Sequence, residues 1–171
     1  VAARHFRETL DEDLFNYRTY ALVSDGDLQE GVALGAASLA GHLGLGNLNW
    51  VFDSNAIQLS GPTAETTSDD IARTFESFGW DVCTVDGHDL DALRKGFGQA
   101  KQQMEKPSLI IARTTMGKGC ATLEGTAKTH GSPRPADEKT ATKANLNLPP
   151  EDFYAPQEAL DHYRRDFGAK K

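Results

Sequence analysis

The sequence is 171 residues long (18.6 kDa), with 39% hydrophobic and 25% charged residues, which suits one globular domain with its own core and excludes a disordered chain. A net charge of -7 and a pI near 5.2 exclude a general electrostatic grip on nucleic acid or on an anionic membrane surface. No apolar run approaches the ~20 residues that span a bilayer, no secretory signal opens the chain, and two isolated cysteines, Cys83 and Cys120, fit free thiols in a reducing, cytoplasmic setting.

Residues 1–18 read as the end of a helix and a connector; no capping residue precedes Val1, so the helix is entered in its middle. Thr19–Val23 predicts a buried strand that stops at Ser24-Asp25-Gly26-Asp27. From Gln29 to about Leu43 the spacing predicts a helix with Val32, Ala36, Leu39 and Leu43 on one face. Its many small residues make it slender and suited to close packing, and Gly44 and Gly46 end it. A second strand, Leu48–Phe52, ends at Asp53-Ser54-Asn55, and residues 56–68 read as a polar loop. Ser68 is placed to cap a helix over 69–78, Trp80–Val85 predicts a third strand, and Asp89 is placed to cap a helix reaching about Glu105 that buries Leu90, Leu93, Phe97 and Met104. Pro107 precedes a fourth strand, Leu109–Ala112. Residues 114–135 form a long Gly/Thr-rich loop of the kind that is functional or mobile, and two weaker helices follow over 137–145 and 157–167. The alternation predicts an α/β fold, a parallel sheet with helices on both faces. Ligands of such sheets bind at the carboxyl ends of the strands.

The informative residues stand at those ends. Asp25 and Gly26 follow the first strand and Asn55 the second, 30 residues later, about one strand–helix–strand unit. A carboxylate and an amide oxygen are hard ligands suited to Mg2+ or Ca2+, a loop carbonyl such as that of Ile57 adds a third, and Mg2+ takes its remaining ligands from water and phosphate. Gly26 leaves room for a phosphorylated partner, and the helix beginning near Gln29 directs its positive end roughly that way. Either segment alone reads first as an ordinary turn sequence; their pairing at this spacing favours a ligand site.

Ser24–Gly31, Ala37–Leu43 and Phe52–Ile57 together resemble the thiamine-diphosphate signature of transketolases. The resemblance continues through Phe75–Trp80, Asp86–His88, Lys106–Leu109, Thr114–Gly119 and Thr129–Gly131. It implies a thiamine-diphosphate-binding fold, with residues 1–171 as the diphosphate-binding domain of an enzyme that moves a two-carbon ketol unit between sugar phosphates, as in the pentose phosphate pathway. It also implies residue roles. Asp25, Asn55 and the Ile57 carbonyl would hold a divalent metal, which clamps the diphosphate; Gly26 would pack against the diphosphate. Glu30 would sit at a dimer interface linking two active sites. Met116 would line the cofactor pocket, and His130 would lie near the diphosphate and the substrate channel. Two departures from the family pattern stand out: Ser24 replaces the first glycine of Gly-Asp-Gly, which requires a negative φ there, and Ser60 replaces an acidic residue.

The resemblance further implies that other segments complete the site: histidines ahead of residue 1, a pyrimidine-binding domain carrying the activating glutamate, on this or another chain, and a carboxyl-terminal domain. The expected working form is a homodimer or a split-subunit assembly. Two other readings stay open, a dihydroxyacetone synthase-like enzyme and a non-catalytic cofactor-binding or assembly module. Outside the site, His42 reads as a packing or interface residue, His88 as part of a turn and helix cap, and His5 and His162 as solvent-facing. Lys118 lacks the frame of a phosphate-binding loop, and Cys120 lacks any cue for thiol activation.

Overall fold

A computed structural model describes residues 1–164. Helix α1 spans Ala2–Thr9 and leads through an irregular connector to strand β1, Thr19–Val23. A single-turn helix α2 (Asp25–Leu28) and the longer α3 (Gly31–His42) follow, then β2 (Leu48–Ser54). A small antiparallel hairpin of β3 (Ile57–Gln58) and β4 (Gly61–Pro62) precedes α4 (Ile71–Ser77), β5 (Asp81–Asp86), α5 (Leu90–Gln102) and β6 (Ser108–Arg113). Helices α6 (Ala136–Asn145) and α7 (Gln157–Tyr163) close the described chain. The sequence-based helix over 157–167 extends beyond residue 164, outside the described residues.

The main sheet has the order β1-β2-β6-β5, and every pairing is parallel. Alternate residues of β6 face opposite sides, as strand geometry requires. Leu109 and Ile111 join a core with Ala37 and Ala40 of α3 and Phe75 of α4. On the other side, the missing side chain of Gly96 lets α5 approach Ile110 and Val85: a Cβ there would lie 3.3 Å from Val85 Cγ1 and 3.6 Å from Ile110 Cγ2. Helices therefore lie on both faces, as the alternation predicts, but β1 is not the buried strand expected, since Tyr20 and Leu22 are exposed. The first core is keyed by aromatic rings, with Trp80 centred 5.1 Å from both Trp50 and Phe75. The Trp80 indole N–H donates to the Ala37 carbonyl at 2.8 Å, which satisfies its one polar atom inside the core.

Several local expectations are corrected. The helix placed from Gln29 is α3, and an unexpected single turn, α2, precedes it, because the capping box of Ser24 and Asp27 starts a helix at Asp25. The α4 cap is Asp70, which accepts from the Arg73 amide, rather than Ser68. Asp89 does cap α5, accepting from the Asp91 and Ala92 amides. In α5 the buried positions are Gly96 and Ala100, while Leu90 and Phe97 are exposed and Leu93 is half-buried; Met104 lies beyond the helix and is exposed. In α3 the buried positions are Ala37 and Ala40, while Val32 is 81% and Leu39 54% exposed. Both helices turn their small residues inward because close contact with the sheet leaves no room for larger ones. In α3, this leaves an outward stripe of Val32, Gly35, Ala36 and Leu39 at helical spacing.

Candidate functional site

Parallel pairing brings the two motifs together. Val23 of β1 is in register with Phe52 of β2, so Asp25 and Ser54, each two residues further on, leave the sheet at the same level. Around them lies a cleft of about 670 Å3 at the carboxyl ends of the strands. Asp25, Gly26 and Glu30 line it from the first motif, Asn55 and Ile57 from the second, and Met116 and His130 from the long loop. All seven sequence-derived site residues thus border one cleft.

Ser24 has φ -113°, the negative value that a serine in place of glycine requires. Its amide and hydroxyl both donate to Asp27 Oδ2 at 2.8 Å, holding the Asp27 carboxyl below the usual carboxylate range. Asp25 is in the opposite condition. Its Oδ2 is buried and has no hydrogen-bond partner. Burial pushes its carboxyl up, and the charge of Asp53 adds to the shift. A buried acceptor left unmatched costs about 1–3 kcal/mol.

The second motif is held more firmly. Asn55 Oδ1 accepts from the Ile57 amide at 2.9 Å, and Asn55 Nδ2 donates to Asp53 Oδ2 at 3.3 Å. Between them Ala56 adopts φ +61°, a left-handed conformation that costs a non-glycine residue about 1–2 kcal/mol. This sharp turn starts the β3–β4 hairpin at Ile57, and strain of this kind collects at functional sites. Asp53 is the residue sequence reasoning missed. It borders the cleft, fixes the Asn55 amide, accepts from the Thr114 hydroxyl and perturbs Asp25. Its position near the end of β2, two residues before Asn55, was the available signal, since a carboxylate at the carboxyl end of a strand lies at the edge where ligands bind.

The loop after β6 is tied to itself around Gly117. That residue has φ +64°, and a Cβ there would lie 2.8 Å from Thr129 Cγ2, so only glycine lets the two arms of the loop touch. The contact links the Met116 arm to the His130 arm. Glu138 of α6 anchors the same loop, accepting from the Thr122 amide at 3.0 Å and the Thr122 hydroxyl at 2.7 Å. The other histidines do not border this cleft: His5, His42 and His162 are exposed, and His88 contacts the loop from outside.

Comparison with known proteins decides the family. The model described as "Transketolase, thiamine diphosphate binding domain" matches residues 1–171. The chain belongs to the transketolase family. A transketolase of Geobacillus stearothermophilus is 41% identical across 100% of this chain and 27% of its own length, and transketolase 2 of Saccharomyces cerevisiae is 38% identical across 96% and 25%. The crystal structure of a Campylobacter jejuni transketolase superposes with a TM-score of 0.90 at 36% identity, covering 95% of this chain and 26% of that one. A Pichia stipitis transketolase in complex with sedoheptulose-7-phosphate gives a TM-score of 0.82 at 37% identity, over 85% of this chain and 22% of that one. The chain therefore spans about a quarter of the length of these transketolases.

The donor set fits a cofactor with an anionic diphosphate held through a cation. The cleft carries four carboxylates, those of Asp25, Asp27, Glu30 and Asp53, and none of its described lining residues is Lys or Arg. A bare diphosphate would be repelled. A divalent cation meeting the orphaned Asp25 oxygen and the Asn55 amide oxygen removes both problems. Among the described residues no cluster of three or more His, Cys, Asp or Glu could hold a metal. No described helix is long and apolar enough to cross a membrane.

Proposed function

We propose that residues 1–171 form the diphosphate-binding domain of a transketolase, which moves a two-carbon ketol unit from a ketose phosphate to an aldose phosphate. The observation that carries this reading is the convergence of seven matched residues, from three separate segments, on one cleft beside a buried carboxylate oxygen without a partner. Thiamine diphosphate supplies the carbanion-stabilising chemistry when bound. Asp25, Asn55 and the Ile57 carbonyl hold Mg2+ or Ca2+, and Asp53 keeps the Asn55 amide oriented. Gly26 has open space around it, with only Ser24 Oγ at 4.0 Å from a built Cβ, so a phosphate can approach the backbone. Met116 lines the cofactor pocket. His130 donates to a developing oxyanion or moves a proton at the substrate, a role of the kind worth ~10²–10⁴-fold in rate.

The same reading makes the working form an assembly with a pyrimidine-binding domain, in a homodimer or with a partner subunit. The outward stripe of α3 supports it: Val32, Gly35, Ala36 and Leu39 offer a slender apolar surface to another helix, and Glu30 begins that helix beside the cleft. Calorimetric titration with thiamine diphosphate and Mg2+, on the chain alone and after adding a chain with the pyrimidine-binding domain, tests the proposal together with a ketol-transfer assay. Tight binding and transfer that appear only on mixing support it. Binding without any transfer in the complete assembly favours a non-catalytic cofactor-binding module instead.

A further inference from the structure

His88 does not border the cleft, and its ring makes a contact that no turn or cap requires. Its Nε2 accepts a hydrogen bond from the Thr115 amide at 2.8 Å, across 27 residues of sequence. The approach is built into the backbone. Gly87 donates its amide to the Arg113 carbonyl at 2.8 Å, and a Cβ on Gly87 would come within 2.4 Å of Thr114 Cγ2. The turn after β5 is thus pressed against the start of the long loop, close enough for the imidazole to reach over it. Thr114 is held from the opposite side, its amide donating to the Ser54 carbonyl at 3.2 Å and its hydroxyl to Asp53. Two successive residues are therefore gripped by β2 on one side and by the β5 turn on the other. The next residue is Met116, which enters the cleft, and the one after is Gly117, whose contact with Thr129 carries the constraint to His130.

We propose that His88 is a positioning residue for the transketolase site: its unprotonated Nε2, with the ring proton on Nδ1, sets the path of Thr115 and through it the placement of Met116 and His130. This rests on the proposed function for its consequence in cofactor binding, while the contact itself stands apart from it. The test uses the complete protein that contains this chain, in wild-type form and as His88→Gln, His88→Leu and His88→Asn. The Gln amide oxygen reaches where Nε2 stands; Leu fills the space without an acceptor; the Asn oxygen is too short to reach. Amide exchange at Thr115 is read by hydrogen–deuterium exchange with residue-level fragmentation, and Mg2+–thiamine diphosphate affinity by calorimetry. Loss of the acceptor is expected to speed Thr115 exchange about tenfold in the Leu and Asn variants and to weaken cofactor binding several-fold, with Gln restoring both to within about twofold of wild type. Equal behaviour of Gln and Leu, or unchanged Thr115 exchange in both Leu and Asn, would overturn the assignment. A wild-type protein that binds no thiamine diphosphate refutes the transketolase reading instead, and the exchange ratios still decide the role of His88.

Discussion

Replacing Asp25 by Asn separates what this residue costs the fold from what it gives the site. The substitution keeps the shape and removes the charge. In the metal-free protein the Asp25 carboxylate is disfavoured, first by burial and then by Asp53, and its Oδ2 has no partner. A carboxyl raised in the folded state adds stability that is fully present below its unfolded value of about 3.9 and is lost as pH rises through the folded value. At pH 7 wild type therefore carries the whole charge penalty; Asp25→Asn leaves a polar atom unmatched at the same place but removes the charge, which relieves on the order of 1 kcal/mol, the extra cost of a charged over a neutral unmatched group. For a chain of this size that is roughly 2–4 °C in Tm. Near pH 3 both side chains are neutral and the two proteins should melt together. Mg2+ and thiamine diphosphate reverse the order at pH 7. At a hundred times Kd a ligand stabilises its target by about 2.7 kcal/mol, and only wild type should receive that gain, because Asn removes the one carboxylate assigned to the metal. Thermal melts in EDTA and in saturating cofactor, at the two pH values, are the assay. A variant less stable than wild type in EDTA, or one stabilised equally by Mg2+ and cofactor, would refute the reasoning.

Four further outcomes are expected. Gly41→Ala should lose about 3 kcal/mol, read in denaturant melts, because its Cβ would fall 1.8 Å from the Phe78 carbonyl oxygen, whereas Gly35→Ala has nothing within 4 Å in this chain and should gain about 0.5–1 kcal/mol while weakening assembly through the outward face of α3. Glu138 is held below the usual carboxylate range, chiefly by the Thr122 amide and then its hydroxyl, so its contribution is present above the unfolded value and lost as pH falls through the lowered folded one. Protection of the Thr122 and Leu123 amides, corrected for intrinsic exchange, should fall in that acid window in wild type, stay flat with pH in Glu138→Gln, whose amide oxygen accepts without titrating, and already be low at pH 7 in Glu138→Ala. His130→Ala, in the complete enzyme, should lower kcat by ~10²-fold or more with little change in cofactor affinity; full kcat with cofactor binding lost would make His130 a cofactor ligand.

The placement of the candidate site residues at one cleft was largely legible because a parallel sheet turns chain order into position. Asp25 and Asn55 each follow a strand, and neighbouring parallel strands deliver both to one edge. What the sequence hid was which contacts those residues make. Nothing local reveals that Asp53 pins the Asn55 amide, or that His88 reaches Thr115, since both depend on how loops cross the sheet edge. The helix faces misled for a different reason. Val32 and Leu39 in α3, like Leu90 and Phe97 in α5, have the periodicity of core residues, yet they point outward and alanines and glycines face the sheet. Periodicity identifies an apolar face, but steric room at the sheet decides which face goes inward. In α3 the apolar stripe stays exposed on this chain.

We propose above that this chain holds a diphosphate through a divalent cation. The most direct measurement is the affinity of the complete protein for thiamine diphosphate in Mg2+ and in EDTA, for wild type and for Asp25→Asn. The account predicts tight binding only for wild type in Mg2+, with EDTA and Asp25→Asn each weakening it by tenfold or more. Equal affinity in Mg2+ and EDTA, or equal affinity of the two proteins in Mg2+, would contradict it.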